Sequence, residues 1–160
     1  MANLITKFGL FKESLHIRDI KDIIDGYYEA LLFIEDNDES FLSEDENYDG
    51  PYTIYDFNER TQALVSSKIG KIMSSLSSQE IEELEEEMSY EIIGHNIYYS
   101  SSGQGSGFFD YTLDETLTNK LSGLIRPMIY SELEIDSRGK LNIRFNDEAE
   151  DIVEINDIFE

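Results

Sequence analysis

The sequence predicts an α+β domain, with N-terminal helices followed by antiparallel hairpins and an intervening helix. Three observations predict it. Apolar residues recur at helical intervals through the first half of the chain. The period changes near Ile92, and strict alternation appears near Leu133. No internal repeat or linker divides the 160 residues, a length that suits one domain. Residues 1–160 are therefore expected to form a single domain. Residues 1–26 would be an N-terminal helical extension and 146–160 an acidic tail.

Leu15, Ile20, Ile23, Ile24, Tyr27, Tyr28, Leu31 and Leu32 predict an amphipathic helix over 14–34, with Gly26 its one weak point. Leu64, Val65, Ile69, Ile72, Met73 and Leu76 predict a second over 58–76. Ser77 and Glu80 have capping-box spacing and open a short helix, Ser78–Met88, with Ile81, Leu84 and Met88 inward. Ile92–Ser100 and Gly107–Tyr111 read as strands joined by the loop from Ser101 to Ser106. Thr112 and Glu115 have capping-box spacing too. They open a helix with Leu113, Leu117, Leu121 and Leu124 inward, which Pro127 ends. Leu133 and Ile135, then Leu141, Ile143 and Phe145, alternate with polar residues across Asp136–Lys140, a second hairpin. Ile152, Ile155 and Ile158 predict a short docked helix.

Composition narrows the function. The chain carries 35 acidic and 12 basic residues, a net charge of -23. Duplex DNA and anionic membranes would both repel it, so direct nucleic-acid and membrane binding are not expected. Aromatics at 12% exclude a disordered acidic tail. The absence of Cys excludes disulfides, thiolate zinc sites and thiol nucleophiles. No apolar run reaches membrane-spanning length and no signal-peptide core opens the chain, which predicts a soluble cytoplasmic protein. Halophilic adaptation does not explain the charge. Twenty Ile against four Ala is the bias of an AT-rich coding sequence.

The acids come in blocks. Eight lie between Glu35 and Asp49, seven between Glu80 and Glu91, and seven between Asp147 and Glu160. Enzymatic chemistry finds little support. His16 and His95 have no Cys nearby, and no Ser occupies a nucleophile elbow. The acidic runs look solvated and single out no acid/base pair. Gly103-Gln104-Gly105-Ser106-Gly107 joins two predicted strands and has no Lys, so it reads as a hairpin tip and not a phosphate loop. One stretch has metal-ligand spacing. Asp45, Asn47, Asp49, Thr53 and Asp56 fall at loop positions one, three, five, nine and twelve, with Gly50 at six. This is the calcium spacing of an EF-hand, with Asp where Glu is usual at the last position. Calcium is the one cofactor the sequence suggests, and otherwise none is expected.

The charge itself remains. Twenty-three charges match ~39 Å of duplex at one per ~1.7 Å. Carboxylates fixed along helices could present a DNA-like potential to a cationic groove, with fast, salt-sensitive binding. Candidate contacts are Glu82, Glu83, Glu85, Glu86 and Glu87 on the short helix, and Asp36, Asp38, Glu39, Glu44, Asp45 and Glu46 before it. Glu132, Glu134 and Asp136 make a third patch.

Residues 94–111 read Gly-His-Asn-Ile-Tyr-Tyr-Ser-Ser-Ser-Gly-Gln-Gly-Ser-Gly-Phe-Phe-Asp-Tyr. This resembles the central motif Gly-His-Asp-Phe-Trp-Leu-Thr-Arg-Asn-Gly-His-Gly-Ala-Gly-Phe-Trp-Asp of a group of small acidic bacteriophage proteins of obscure function. The register holds without gaps from Gly94 to Asp110. Tyr28–Leu31, Tyr52–Asp56 and Asp136–Gly139 resemble the flanks of that motif. Ser101, Ser102 and Gln104 stand where those proteins carry Arg, Asn and His. Gly94, His95, Gly103, Gly105, Gly107, Phe108 and Asp110 are shared. The resemblance implies a phage or mobile-element origin and a host bacterial cytoplasm, and supplies no activity.

Together these lines predict a non-enzymatic anti-defence inhibitor. It would mimic DNA in the basic groove of a host restriction, CRISPR or other DNA-handling complex, and a homodimer stays open. The alternative is an acidic adaptor or inhibitor gripping a specific host protein, such as a polymerase subunit, through shape and aromatics, with Tyr98, Tyr99, Phe108 and Phe109 as anchors. A calcium-binding module at Asp45–Asp56 is the third.

Overall fold

Helix α1, Ile17–Glu35, begins at His16, whose backbone N–H donates to Asp19 Oδ2 at 3.0 Å. The computed structural model describes residues 15–37 and 40–147. A 3-10 turn at Leu42–Glu44 follows, then α2, Glu59–Ser74, capped by Asn58. Helix α3, Ser78–Glu87, carries the predicted capping box: Ser77 Oγ accepts from Glu80 N–H, and Glu80 accepts from Ser77 N–H. Helix α4 is Tyr90–Ser102, and α5 is Glu115–Leu124. Antiparallel strands β1, Tyr130–Ile135, and β2, Leu141–Phe145, close the described chain, with Leu133 opposite Ile143 and Ile135 opposite Leu141. This is an α+β domain in which helices precede the hairpin.

One predicted hairpin is replaced by helix. Ile92–Ser100 lies inside α4, and Gly107–Asp110 is a 3-10 turn. Ile92, Ile93, Ile97 and paired tyrosines have strand propensity, but propensity yields to packing. Ser89 caps the helix by accepting from Ile92 N–H. Ile93, Gly94, Ile97 and Tyr98 then form one buried helical stripe. Gly103, at φ 75°, ends the helix in a left-handed cap, so the glycine run is a helix terminator and not a strand turn. A smaller difference concerns α5. Asp114, not Thr112, is its cap, with Asp114 Oδ1 accepting from Thr116 N–H at 2.8 Å. The predicted helix at Ile152–Ile158 lies outside the described residues. From residue 17 onward the N-terminal segment belongs to the core, because Ile20 and Ile23 are buried.

α1 and α4 pack together along most of their length, and two glycines set how closely. A Cβ on Gly94 would lie 2.0 Å from the Ile23 carbonyl oxygen and 2.6 Å from Tyr27 N. A Cβ on Gly26 would lie 2.2 Å from the Glu91 carbonyl oxygen. The helices therefore touch backbone to backbone. Around this contact Tyr27 meets Tyr98 edge to face, centroids 5.8 Å apart, and Tyr28 stacks on Phe57 at 4.2 Å. At the far end of α1, Glu35 Oε1 accepts from Tyr130 Oη at 3.2 Å, and Tyr130 and Tyr98 share a hydroxyl contact at 3.2 Å. Burial pushes the Tyr130 and Tyr98 hydroxyl pKa values up, so both hydroxyls keep their protons.

The hairpin covers the core from the other side. Leu141, Ile143 and Phe145 point inward with the predicted period of two. The start of α2 is stitched to it: Asn58 N–H donates to the Leu141 carbonyl at 2.9 Å, and Thr61 Oγ1 accepts from Ile143 N–H at 3.0 Å.

Gly94→Ala is expected to lose about 3 kcal/mol, the upper end of overpacking, because the clash is with backbone. Gly123, inside α5, has open space at its Cβ, and Gly123→Ala should gain ~0.5–1 kcal/mol. Urea denaturation of the two variants checks both signs.

Candidate functional site

The acids nominated from sequence divide by what they touch. Several hold the fold. Asp36 accepts from Tyr48 Oη and from Tyr52 N–H, both at 2.5 Å, and so fastens the loop after α1. Asp45 caps a turn through Asn47 N–H at 2.8 Å. Asp136 Oδ1 accepts from Arg138 N–H and Lys140 N–H in the hairpin turn. Asn58 donates to its other oxygen, and together these bonds hold its pKa below the usual carboxylate range. Glu134 pairs with Arg144 at 2.8 Å and accepts from Asn142, which lowers its pKa too. Glu132 reaches the same guanidinium at 3.7 Å. The hairpin acids are thus neutralised or engaged internally. Asp38 and Glu39 lie outside the described residues.

On α3 the division follows the helix faces. Glu83 accepts from Asp114 N–H at 2.9 Å, and Glu80 pairs with Lys120 at 2.8 Å, so this side clamps α5. Glu82, Glu86 and Glu87 are exposed and carry no hydrogen bond or ion pair among the described residues. Glu44 and Glu46 are exposed in the same way. Glu82, Glu85 and Glu86 share one face. Glu85 accepts from the Tyr90 hydroxyl, whose pKa is raised by burial, then by Glu85, with a further contribution from Asp19 of α1. Tyr90 therefore joins the outer face of α3 to the side of α1.

That side of α1 carries a row of acids the sequence reading did not single out: Asp19, Asp22, Asp25 and Glu29. Their 3-3-4 spacing puts them in one stripe. With Ser89, Tyr90 and Glu91, the last three of them line a cleft of about 320 Å³ between α1 and the start of α4. Asp19 to Glu29 spans about 15 Å, one carboxylate per ~5 Å. A nucleic-acid strand carries roughly one charge per 3.4 Å of axis. The spacing signal was present in the sequence, but it lay outside the dense acidic blocks. Of the bases on α1, Lys21 is committed to Asp25 at 2.6 Å, which raises the lysine pKa. Elsewhere the bases gather on other surfaces. Lys68 and Lys71 line a cleft with Asp147, and Arg60 and Arg144 lie by the hairpin.

The Gly26–Gly94 contact brings Glu29, Glu91 and His95 together at the end of this row. His95 Nε2 is 3.5 Å from Glu29 Oε2 and 3.8 Å from Glu91 Oε1. It is the one His/Asp/Glu group among the described residues with ligand atoms close enough to hold a metal ion, all within 4.8 Å of one another. Hydrogen bonding to Glu29, with its charge, raises the Glu91 pKa above the ordinary 4.5. Asp45, Asp49 and Asp56 do not converge in this way. Only a three-residue 3-10 turn precedes them, where an EF-hand has a helix. Asp56 instead accepts from Thr53 N–H at 2.7 Å and lies 3.6 Å from Lys140 Nζ.

The glycine turn has its own cleft of about 390 Å³, lined among others by Ser100, Ser106, Phe109 and Arg126. It follows the carbonyl end of α4, whose partial negative charge disfavours phosphate. Of the aromatics proposed as anchors, Tyr98 and Phe108 are buried in the core, Tyr99 is half-buried and Phe109 is exposed. Phe33 and Phe41 are more exposed still. No helix among the described residues is long and apolar enough to cross a membrane. No family model matches the chain, and no curated protein or solved structure matches it.

Because Glu91 holds its proton more tightly in the folded state, stability falls as pH rises through and above the ordinary glutamate range. Glu91→Gln removes that repulsion. Its melting temperature should exceed the parent's at pH 7, with the difference vanishing below about pH 4, where Glu91 is protonated in either state. Thermal melts across pH 3–8 read the sign.

Proposed function

We propose that the chain is an inhibitor that mimics the charge of a nucleic acid, acting in the basic groove of a DNA-handling complex. The observation that carries the reading is a grouping of acids: Asp22, Glu29 and Glu91 line one cleft, and Tyr90 of that cleft donates to Glu85 on the face of α3 that also carries Glu82 and Glu86. These carboxylates stand on capped helices packed on one core, so their arrangement is held in place before the partner arrives. A cationic groove would meet an ordered field and the two would be steered together. Lys68, Lys71, Arg60 and Arg144 line other clefts, while Arg18 and Lys21 stand on α1 itself. The resemblance of Gly94–Asp110 to small acidic phage proteins supports the anti-defence setting, with a restriction or CRISPR complex as the target class. In this reading the partner contacts are Asp22, Glu29, Glu82, Glu86, Glu87 and Glu91, together with Glu44 and Glu46.

A second reading draws on Phe33 near the end of α1, at 77% exposure, and Phe41 just before the 3-10 turn, at 90%. Aromatics so placed are suited to anchoring an acidic adaptor on one host protein.

Capture from a bacterial lysate separates the two. The mimic reading expects a nucleic-acid-binding partner held at about 0.05 M salt and released by about 0.5 M, where the screening length falls to a few ångströms. The Asp22→Asn, Glu82→Gln, Glu86→Gln variant should associate at least ~10-fold more slowly. A complex indifferent to salt, and weakened by Phe33→Ala or Phe41→Ala instead, overturns the mimic in favour of the adaptor.

A further inference from the structure

We propose that Glu29, Glu91 and His95 form a zinc site. Glu91 and His95 are one helical turn apart on α4, and Glu29 faces them from α1. The set therefore depends on the glycine contact that joins the two helices. Two carboxylates and a neutral imidazole are ligands for a borderline divalent ion, and three protein ligands with an open fourth position are a common zinc arrangement.

The distances favour zinc over magnesium. With bonds of ~2.05 Å, a tetrahedral site separates its ligand atoms by roughly 3.3 Å. An octahedral magnesium site separates neighbouring oxygens by only about 2.9 Å. The observed separations from Nε2 are 3.5 and 3.8 Å. Small side-chain shifts would close them onto zinc, whereas magnesium would need a larger collapse and gains little from imidazole. The side chains of Glu29 and Glu91 are 44% and 55% exposed, and that of His95 is 22% exposed. An ion can therefore enter from solvent and keep a water as its fourth ligand. No Lys or Arg ion-pairs with either carboxylate among the described residues, so a bound cation would supply the balancing charge. The site shares Glu29 and Glu91 with the partner contacts named above, but its argument rests on three ligand atoms and not on the field.

Calorimetric titration of the full chain with zinc tests it. One ion per chain should bind in a distinct step, tighter than the diffuse binding of the other carboxylates. The imidazole resonances of His95, and not those of His16, should shift in that step. His95→Asn should abolish it. Glu29→Gln, at an exposed position, should weaken it at least about tenfold, a loss typical even of groups that only support a ligand. Glu82→Gln with Glu86→Gln should leave it intact. A featureless isotherm shared by the parent and His95→Asn overturns the assignment. So does a distinct step that survives Glu29→Gln unchanged, or magnesium binding as tightly as zinc.

Discussion

The backbone contact between α1 and α4 is the constraint on which the rest of the structure depends. Gly26 and Gly94 each lack the one carbon that would drive the helices apart. With the axes this close, Tyr27 and Tyr98 reach each other inside the core, and Glu29 reaches His95 outside it. The same approach therefore serves both sides of the helix pair. Inside, it closes a core that buries Tyr27 completely. Outside, it forces together carboxylates that would separate in water. The apolar contact supplies the free energy and the acidic face carries the cost.

Much of this fold was legible in the sequence, and its largest failure has one cause. α1, α2 and α3 each present a strong 3.6-residue stripe, and the final hairpin a clean alternation, so their elements follow from pattern alone. Between Ile92 and Asp110 the pattern is weaker. Isoleucine and tyrosine suit a strand, and the glycine run looks like a turn between two. What decides for helix is the packing of Gly94 against a residue some seventy positions earlier, which local propensity does not record. Gly26 was misjudged for the same reason. Read locally it weakens a helix, whereas in the fold it is where the second helix docks.

The acidic site was legible in amount and not in place. Density drew attention to the blocks at 35–49 and 80–91, yet many of those carboxylates have structural work. Asp36 fastens a loop, Glu80 caps α3 and pairs with α5, and Glu83 holds the entry of α5. A dense run cannot be uniformly outward on a helix, because its residues are spread around every face. The α1 acids are sparser and more ordered. Their spacing keeps them on one side of a helix whose opposite side is core, and that regularity matters more to a field than number does.

The separation of roles among these acids bears on how such a charge can be tolerated at all. Carboxylates that accept backbone N–H bonds or pair with bases are stabilised in the folded state, and the lowered pKa values of Glu80, Glu134 and Asp136 mark them. Those acids contribute stability above the carboxylate range and lose it as pH falls through their lowered pKa values. Glu91 has the opposite sign, since its folded-state proton is held against Glu29. The chain thus sets acids that favour folding at neutral pH against Glu91, which opposes it. The hairpin and the α3–α5 seam hold the first kind, and Glu91 lines the α1–α4 cleft. The repulsion between Glu29 and Glu91 lies at an exposed surface, where a cation would relieve it.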